Sequence, residues 1–273
     1  MIELPEAVVL ARQLGQTVGK RITHAVAGAS PHGFAWYLGD PAGYGELLDG
    51  RRVTGTASHG GLPEIWAGDV RLCVGDGVNL RYLPAGTTPP AKHQLLVVFD
   101  DASCLVGTVQ MYGGIWAFRE GENDNPYYLV AQEKPSPLDP AFDKAYFDSL
   151  LAGADNLSAK AFLATQQRIP GLGNGVLQDI LWTAQVHPKR KLATLPAERI
   201  DALYAAVRTV LARMTAQGGR DTEKDLFGRP GGYATILSRT STLCPRCGTP
   251  IARQSYLGGN VYICPACQST GEG

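Results

Sequence analysis

The chain has 273 residues, 44% hydrophobic and 18% charged, the composition of a folded soluble protein long enough for about two domains. Its 25 basic and 25 acidic residues cancel, which excludes a uniformly basic coat protein and an acidic disordered tail. The balance hides a split: residues 1–150 carry 11 Lys+Arg and 17 Asp+Glu, net −6, whereas residues 151–273 carry 14 and 8, net +6, so a polyanion is expected at the second half.

The opening Met1-Ile-Glu-Leu-Pro-Glu6 has neither a basic leader nor an apolar run, so no signal peptide is read. No apolar stretch approaches the ~20 residues of a membrane span, and a cytoplasmic protein is expected. Pro5 with Glu6, followed by Val8, Leu10, Ala11, Leu14 and Val18, predicts a leading helix. From about Arg21 to Val130, short β-rich runs such as 70–74, 78–82 and 95–99 alternate with turn signals. Gly75-Asp-Gly77, Asp100-Asp101 and Gly113-Gly114 are the clearest of these, and the pattern predicts a β-sandwich or barrel. The three prolines of residues 133–140 read as a linker. Beyond it the pattern is helical to about residue 218, with the strongest helix from about Pro196 to Gly218-Gly219.

The tail carries Cys244-Pro-Arg-Cys247 and Cys264-Pro-Ala-Cys267, separated by 16 residues. This is the spacing of a four-thiolate zinc site, with redox pairs or disulfides as the other reading. A closed four-cysteine site leaves no open position for water, so one structural zinc is expected. Upstream, Gly171-Leu-Gly173 allows a tight turn and close approach of the backbone to a partner. Asn174 can cap the helix that follows, whose N-terminus attracts an anion such as phosphate. That helix ends before His187-Pro188 and three basic residues, Lys189-Arg190-Lys191. The segment alone fits equally a packing corner with a solvated basic loop.

Together these motifs resemble the formamidopyrimidine-DNA glycosylase and endonuclease VIII family. Glu3-Leu4-Pro5-Glu6 matches the family's opening, Pro170 to Pro188 its helix–two-turn–helix motif, Gly228-Arg-Pro-Gly-Gly-Tyr233 its glycine-rich loop, and Cys244 to Cys267 its zinc finger. The resemblance implies an α+β multidomain fold. A β-sandwich with its leading helix would span 1–134, a helix–two-turn–helix domain 135–236, and a four-cysteine zinc-finger hairpin 237–273. It implies a base-excision repair enzyme that binds damaged or abasic double-stranded DNA, with no membrane and no obligate protein partner, in the cytoplasm at the nucleoid. The implied nucleophile is the α-amine of Met1, with Glu3 as the acid–base group. Gly173, Asn174, Arg168, Lys189, Arg190, Lys191 and the hairpin-tip Asn260 would contact the backbone. Met111 or Tyr112 would fill the gap left by the flipped base.

Two positions depart from the family pattern. Ile2 stands where the family has a proline exposed by methionine removal, and Gly259 stands where it has a hairpin-tip arginine. The family's β-domain lysine has no secure counterpart, with His59 and Lys92 the nearest by context. The reading is therefore a DNA glycosylase with abasic-site lyase action, or, as the alternative, a non-catalytic damaged-DNA-binding protein on the same scaffold.

Overall fold

A computed structural model describes residues 1–270. Helix α1 (Leu4–Leu14) leads into strands β1 (Ile22–Ala27) and β2 (Ala35–Tyr37), a short helix α2 (Tyr44–Leu48), and strands β3 (Gly55–His59), β4 (Leu62–Ala67), β5 (Val70–Leu83), β6 (Leu95–Phe99) and β7 (Cys104–Arg119). Helices α3 (Pro126–Glu133), α4 (Lys144–Leu151), α5 (Ala159–Ala164), α6 (Val176–Ala184) and α7 (Ala197–Ala216) follow, then the hairpin β8 (Ala252–Tyr256) and β9 (Gly259–Ile263). Among the described residues no helix is long and apolar enough to cross a membrane.

The seven N-terminal strands form one hydrogen-bonded sheet, ordered β1-β6-β7-β5-β4-β3, with β2 added in parallel to β7. Val97 on β6, Ile115 on β7, Leu72 on β5 and Ile65 on β4 share one buried cluster, so the sheet wraps around its own core as a sandwich. Two turn readings are corrected here. Gly75-Asp-Gly77 lies inside the 14-residue β5 at a register shift opposite β7, and Gly113-Gly114 lies inside β7. Glycine in a strand marks a bulge or a close backbone approach as often as an end. Gly113 and Gly114 are where β2 pairs alongside.

The second core is helical. Val176, Leu177, Ile180 and Leu181 of α6 pack against Leu203, Val207, Val210, Leu211 and Met214 of α7, the stripe expected from the 3.6-residue period. Residues 134–143 form neither helix nor strand. Helix α1 joins the two cores: Leu4 belongs to the helical one, and Leu10 and Leu14 to the β one. The first three residues of the chain are thereby fixed in the seam between the β-sheet and the α6 turn.

Candidate active site and nucleic-acid interface

The N-terminal segment is tied down residue by residue. The Ile2 N–H donates to the Asp76 carbonyl at 2.6 Å, and the Leu4 N–H donates to the Gly171 carbonyl at 2.8 Å. Between them Glu3 is only 4% exposed. Its Oε1 accepts from the Gly175 N–H and its Oε2 from the Val176 N–H, both at 2.8 Å. Those are free donors at the start of α6, where the helix dipole favours a negative charge. Glu3, and not Asn174, caps this helix. The turn is built to admit it, since a Cβ on Gly173 would lie 2.7 Å from the Glu3 carboxylate and one on Gly175 would overlap the Arg220 guanidinium.

Arg220 completes the arrangement from the loop after α7. It is 3% exposed and donates to Glu6 through Nε at 3.0 Å and Nη2 at 2.8 Å, while Nη1 lies 3.7 Å from Glu3. Burial pulls its pKa down, but Glu3 and Glu6 outweigh that and hold the guanidinium firmly charged. Its Nη2 also donates to the Met1 carbonyl at 3.2 Å. The Met1 ammonium itself donates to Glu223 Oε2 at 2.6 Å. Asp76, in the left-handed region at φ +57°, borders the same amine. Surrounding protein pushes the Asp76 carboxyl above its usual range, partly offset by the positive N-terminus. An α-amine, two acids beside it and a buried carboxylate two residues along the chain are therefore brought together. That is the equipment for nucleophilic attack with proton transfer.

The comparisons with known proteins agree with this geometry. The model of the formamidopyrimidine-DNA glycosylase H2TH domain matches residues 134–225. A formamidopyrimidine-DNA glycosylase of Nocardia farcinica is 30% identical over 98% of both chains, and one of Alkalilimnicola ehrlichii is 31% identical over 98% of this chain and all of its own. The chain belongs to the formamidopyrimidine-DNA glycosylase family. Among solved structures, the Fpg protein of Thermus thermophilus is 26% identical with a TM-score of 0.82, covering 98% of this chain and 99% of its own. A Lactococcus lactis Fpg variant bound to Fapy-dG-containing DNA is 25% identical with a TM-score of 0.84 and the same coverage.

Among the backbone-contact candidates, the structure brings Asn174 and Asn260 together. The Asn174 amide donates to the Asn260 carbonyl at 3.1 Å, and Gln178 Nε2 reaches the same oxygen at 3.1 Å. The zinc-finger hairpin tip therefore sits directly on the H2TH turn. A Cβ on Gly259 would lie 3.3 Å from the Asn174 side chain, so the hairpin crosses close above it. Lys189 and Lys191 are exposed, with the Lys189 ammonium 5.4 Å from the Tyr256 ring centre in the hairpin. Arg190 instead folds back onto Thr194, donating to its carbonyl at 2.7 Å. Arg168 donates to Gln166 Oε1 at 2.8 Å and is half-buried. Met111 is 69% exposed, whereas Tyr112 turns inward, its hydroxyl 2.9 Å from the Met1 sulfur. Neither His59 nor Lys92 borders the cavities beside Met1: His59 packs edge-on to Tyr128, 6.1 Å between ring centres, and Lys92 is exposed on a loop.

The four finger cysteines place their sulfurs within 4.8 Å of one another. Individual separations of 3.4, 3.5 and 3.9 Å match the edge of roughly 3.8 Å that a tetrahedron with ~2.3 Å metal–sulfur bonds requires. The cluster fits one metal ion. It is anchored to α6, since Trp182 Nε1 donates to Cys244 Sγ at 3.4 Å and Gln178 Oε1 accepts from the Tyr262 N–H at 3.0 Å.

Sequence reasoning missed Arg220, Glu223 and Asp76. The glycine-rich loop it did single out supports Arg220: the Gly231 N–H donates to the Arg220 carbonyl and the Tyr233 N–H to the Gly219 carbonyl. The only available signal was the Gly218-Gly219 stop that places Arg220 immediately after α7.

Proposed function

We propose that this chain is a base-excision DNA glycosylase with abasic-site lyase activity, acting on damaged or abasic double-stranded DNA at the nucleoid. The observation that carries the reading is the Met1 ammonium held 2.6 Å from Glu223, two residues from the buried Glu3. An ammonium is not a nucleophile, and Glu223 is positioned to take its proton. The freed amine bonds to C1′ of the flipped nucleotide as the C1′–N bond to the base breaks, the base leaving with a proton. Loss of the second amine proton and opening of the sugar ring give a C1′ imine, with Glu3 relaying the protons. The imine acidifies C2′–H, and its loss expels the 3′ phosphate and nicks the strand. Ile2 leaves Met1 as the N-terminal residue, so the attacking amine is primary; a primary amine forms an imine readily.

Gly173, Asn174 and Asn260, with Arg168, Lys189 and Lys191, are assigned to the phosphate backbone, and Met111 to the gap left by the extruded base. The metal of the finger is zinc. When bound it neutralises the four thiolates and locks the hairpin whose tip backs Asn174. The test uses labelled duplexes carrying an oxidised purine or an abasic site, scored for base release and nicking. Nicking of the abasic strand supports the lyase; tight binding with neither base release nor nicking means the scaffold is a non-catalytic binder.

A further inference from the structure

Two cavities flank the Met1–Ile2 segment, and their chemistry differs. One, about 580 Å³, is lined by hydrogen-bonding groups, among them Asn79, Arg81, Thr108, Gln110 and Thr222. The other, about 570 Å³, is walled by Trp36, Tyr37, Tyr112, Trp116 and Tyr127, and ends at Glu3 and the Gly171–Gly173 turn. Strand β2, three residues long, carries Trp36 over the opening, where its ring lies 5.7 Å from that of Tyr112.

The aromatic cavity is open on the side where large apolar groups are least covered. Trp36 is 49% and Tyr127 57% exposed at this cavity, and Phe34 (63%) adjoins β2, its carbonyl accepting from the Gly113 N–H. Exposed aromatic surface of this kind marks a contact site. Among the described residues no Lys, Arg or His side chain lines the cavity; Met1 with its ammonium does, but Glu3 and Asp76 outnumber it, so a phosphate is disfavoured there. What suits aromatic walls with a few polar groups at the edge is a flat uncharged heterocycle. The cavity is also lined by Gly171, Leu172 and Gly173 of the turn proposed above to contact the phosphate backbone, which places DNA at its edge.

We propose that the aromatic cavity is a second nucleobase site: it takes an unpaired base from the strand carrying the lesion, while the polar cavity takes the base that is excised. This rests on the reading of the chain as a DNA glycosylase. A base already unpaired enters without the few kcal/mol that unstacking from a duplex requires. Within double-stranded DNA the protein therefore favours a lesion whose neighbouring bases are already unpaired over one in fully paired duplex.

The test is equilibrium binding to DNA containing a tetrahydrofuran abasic analogue, either fully paired or flanked by mismatches that leave the neighbouring bases unpaired. Wild type binds the bubble more tightly, and Trp36→Ala weakens bubble binding about 5- to 150-fold, the range of one base–aromatic stack of ~1–3 kcal/mol, with little change on duplex. Trp36→Phe retains most of the preference. Lys189→Ala serves as the control, weakening both substrates alike. Equal wild-type affinity for the two DNAs, or an equal loss on both with Trp36→Ala, overturns the second site while leaving the glycosylase reading standing. Failure to bind either DNA removes both.

Discussion

Glu3→Gln separates the two jobs that the structure gives one carboxylate. The two charge-assisted bonds from Gly175 and Val176 each need an acceptor, and a glutamine amide offers one oxygen. Its NH₂ faces a backbone N–H in a site 4% exposed, leaving one buried donor unpaired at about 1–3 kcal/mol. Arg220 remains compensated by its two bonds to Glu6, so the larger penalty of a stranded buried charge is not incurred. Thermal unfolding should then fall by roughly 2–4 °C per kcal/mol. Lyase turnover should fall much further, by about 10²–10⁴-fold, because the amide cannot move a proton. Differential scanning calorimetry and single-turnover nicking measure the two effects on one preparation. Nicking that survives in Glu3→Gln would remove Glu3 from the chemistry, and an unchanged unfolding temperature would remove its capping role.

Arg220→Ala leaves Glu6 and Glu3 buried without their cation and should destabilise the protein by about 3–5 kcal/mol in denaturant titration. Glu223→Gln removes the group that accepts from the Met1 ammonium and should slow borohydride-trapped imine formation while leaving DNA affinity unchanged; an unchanged trapping rate would mean Glu223 only positions Met1. Asp76→Asn keeps a residue that tolerates φ +57° and removes a carboxylate whose charged form is disfavoured. Because the folded pKa is raised, stability falls as pH rises through it. Asp76 is partly exposed, so the variant's advantage in unfolding temperature should be small; it should be present at neutral pH and vanish below the unfolded value of about 3.9. Neutralising Lys189 and Lys191 should reduce the slope of log affinity against log salt by about 2, roughly 0.9 for each lost phosphate contact, whereas Arg190→Gln, already turned onto Thr194, should change it little.

The parts of the site legible in the sequence are those whose chemistry is local. Two CxxC turns each supply two sulfurs, and only a hairpin's closure is needed to bring the four together. The α7 stripe and the Pro5 start follow from periodicity and capping in the same way. Glu3 is legible as a functional acid but not as the cap of α6: Asn174 looks like that cap by residue type, yet tertiary contact puts the Glu3 carboxylate there. Arg220 and Glu223 lie more than 200 residues from Met1, and no spacing rule connects them. The glycines at 113 and 114 look like a turn because strand and turn glycines carry the same composition; only the pairing of β2 alongside reveals the close approach.

The most direct measurement is borohydride reduction of the protein with an abasic-site duplex, followed by peptide mapping of the trapped complex. A single adduct on the N-terminal peptide, at the α-amine of an intact Met1, is the predicted result. An adduct on a lysine, or tight binding with no adduct at any pH, would contradict the assignment of Met1 as nucleophile.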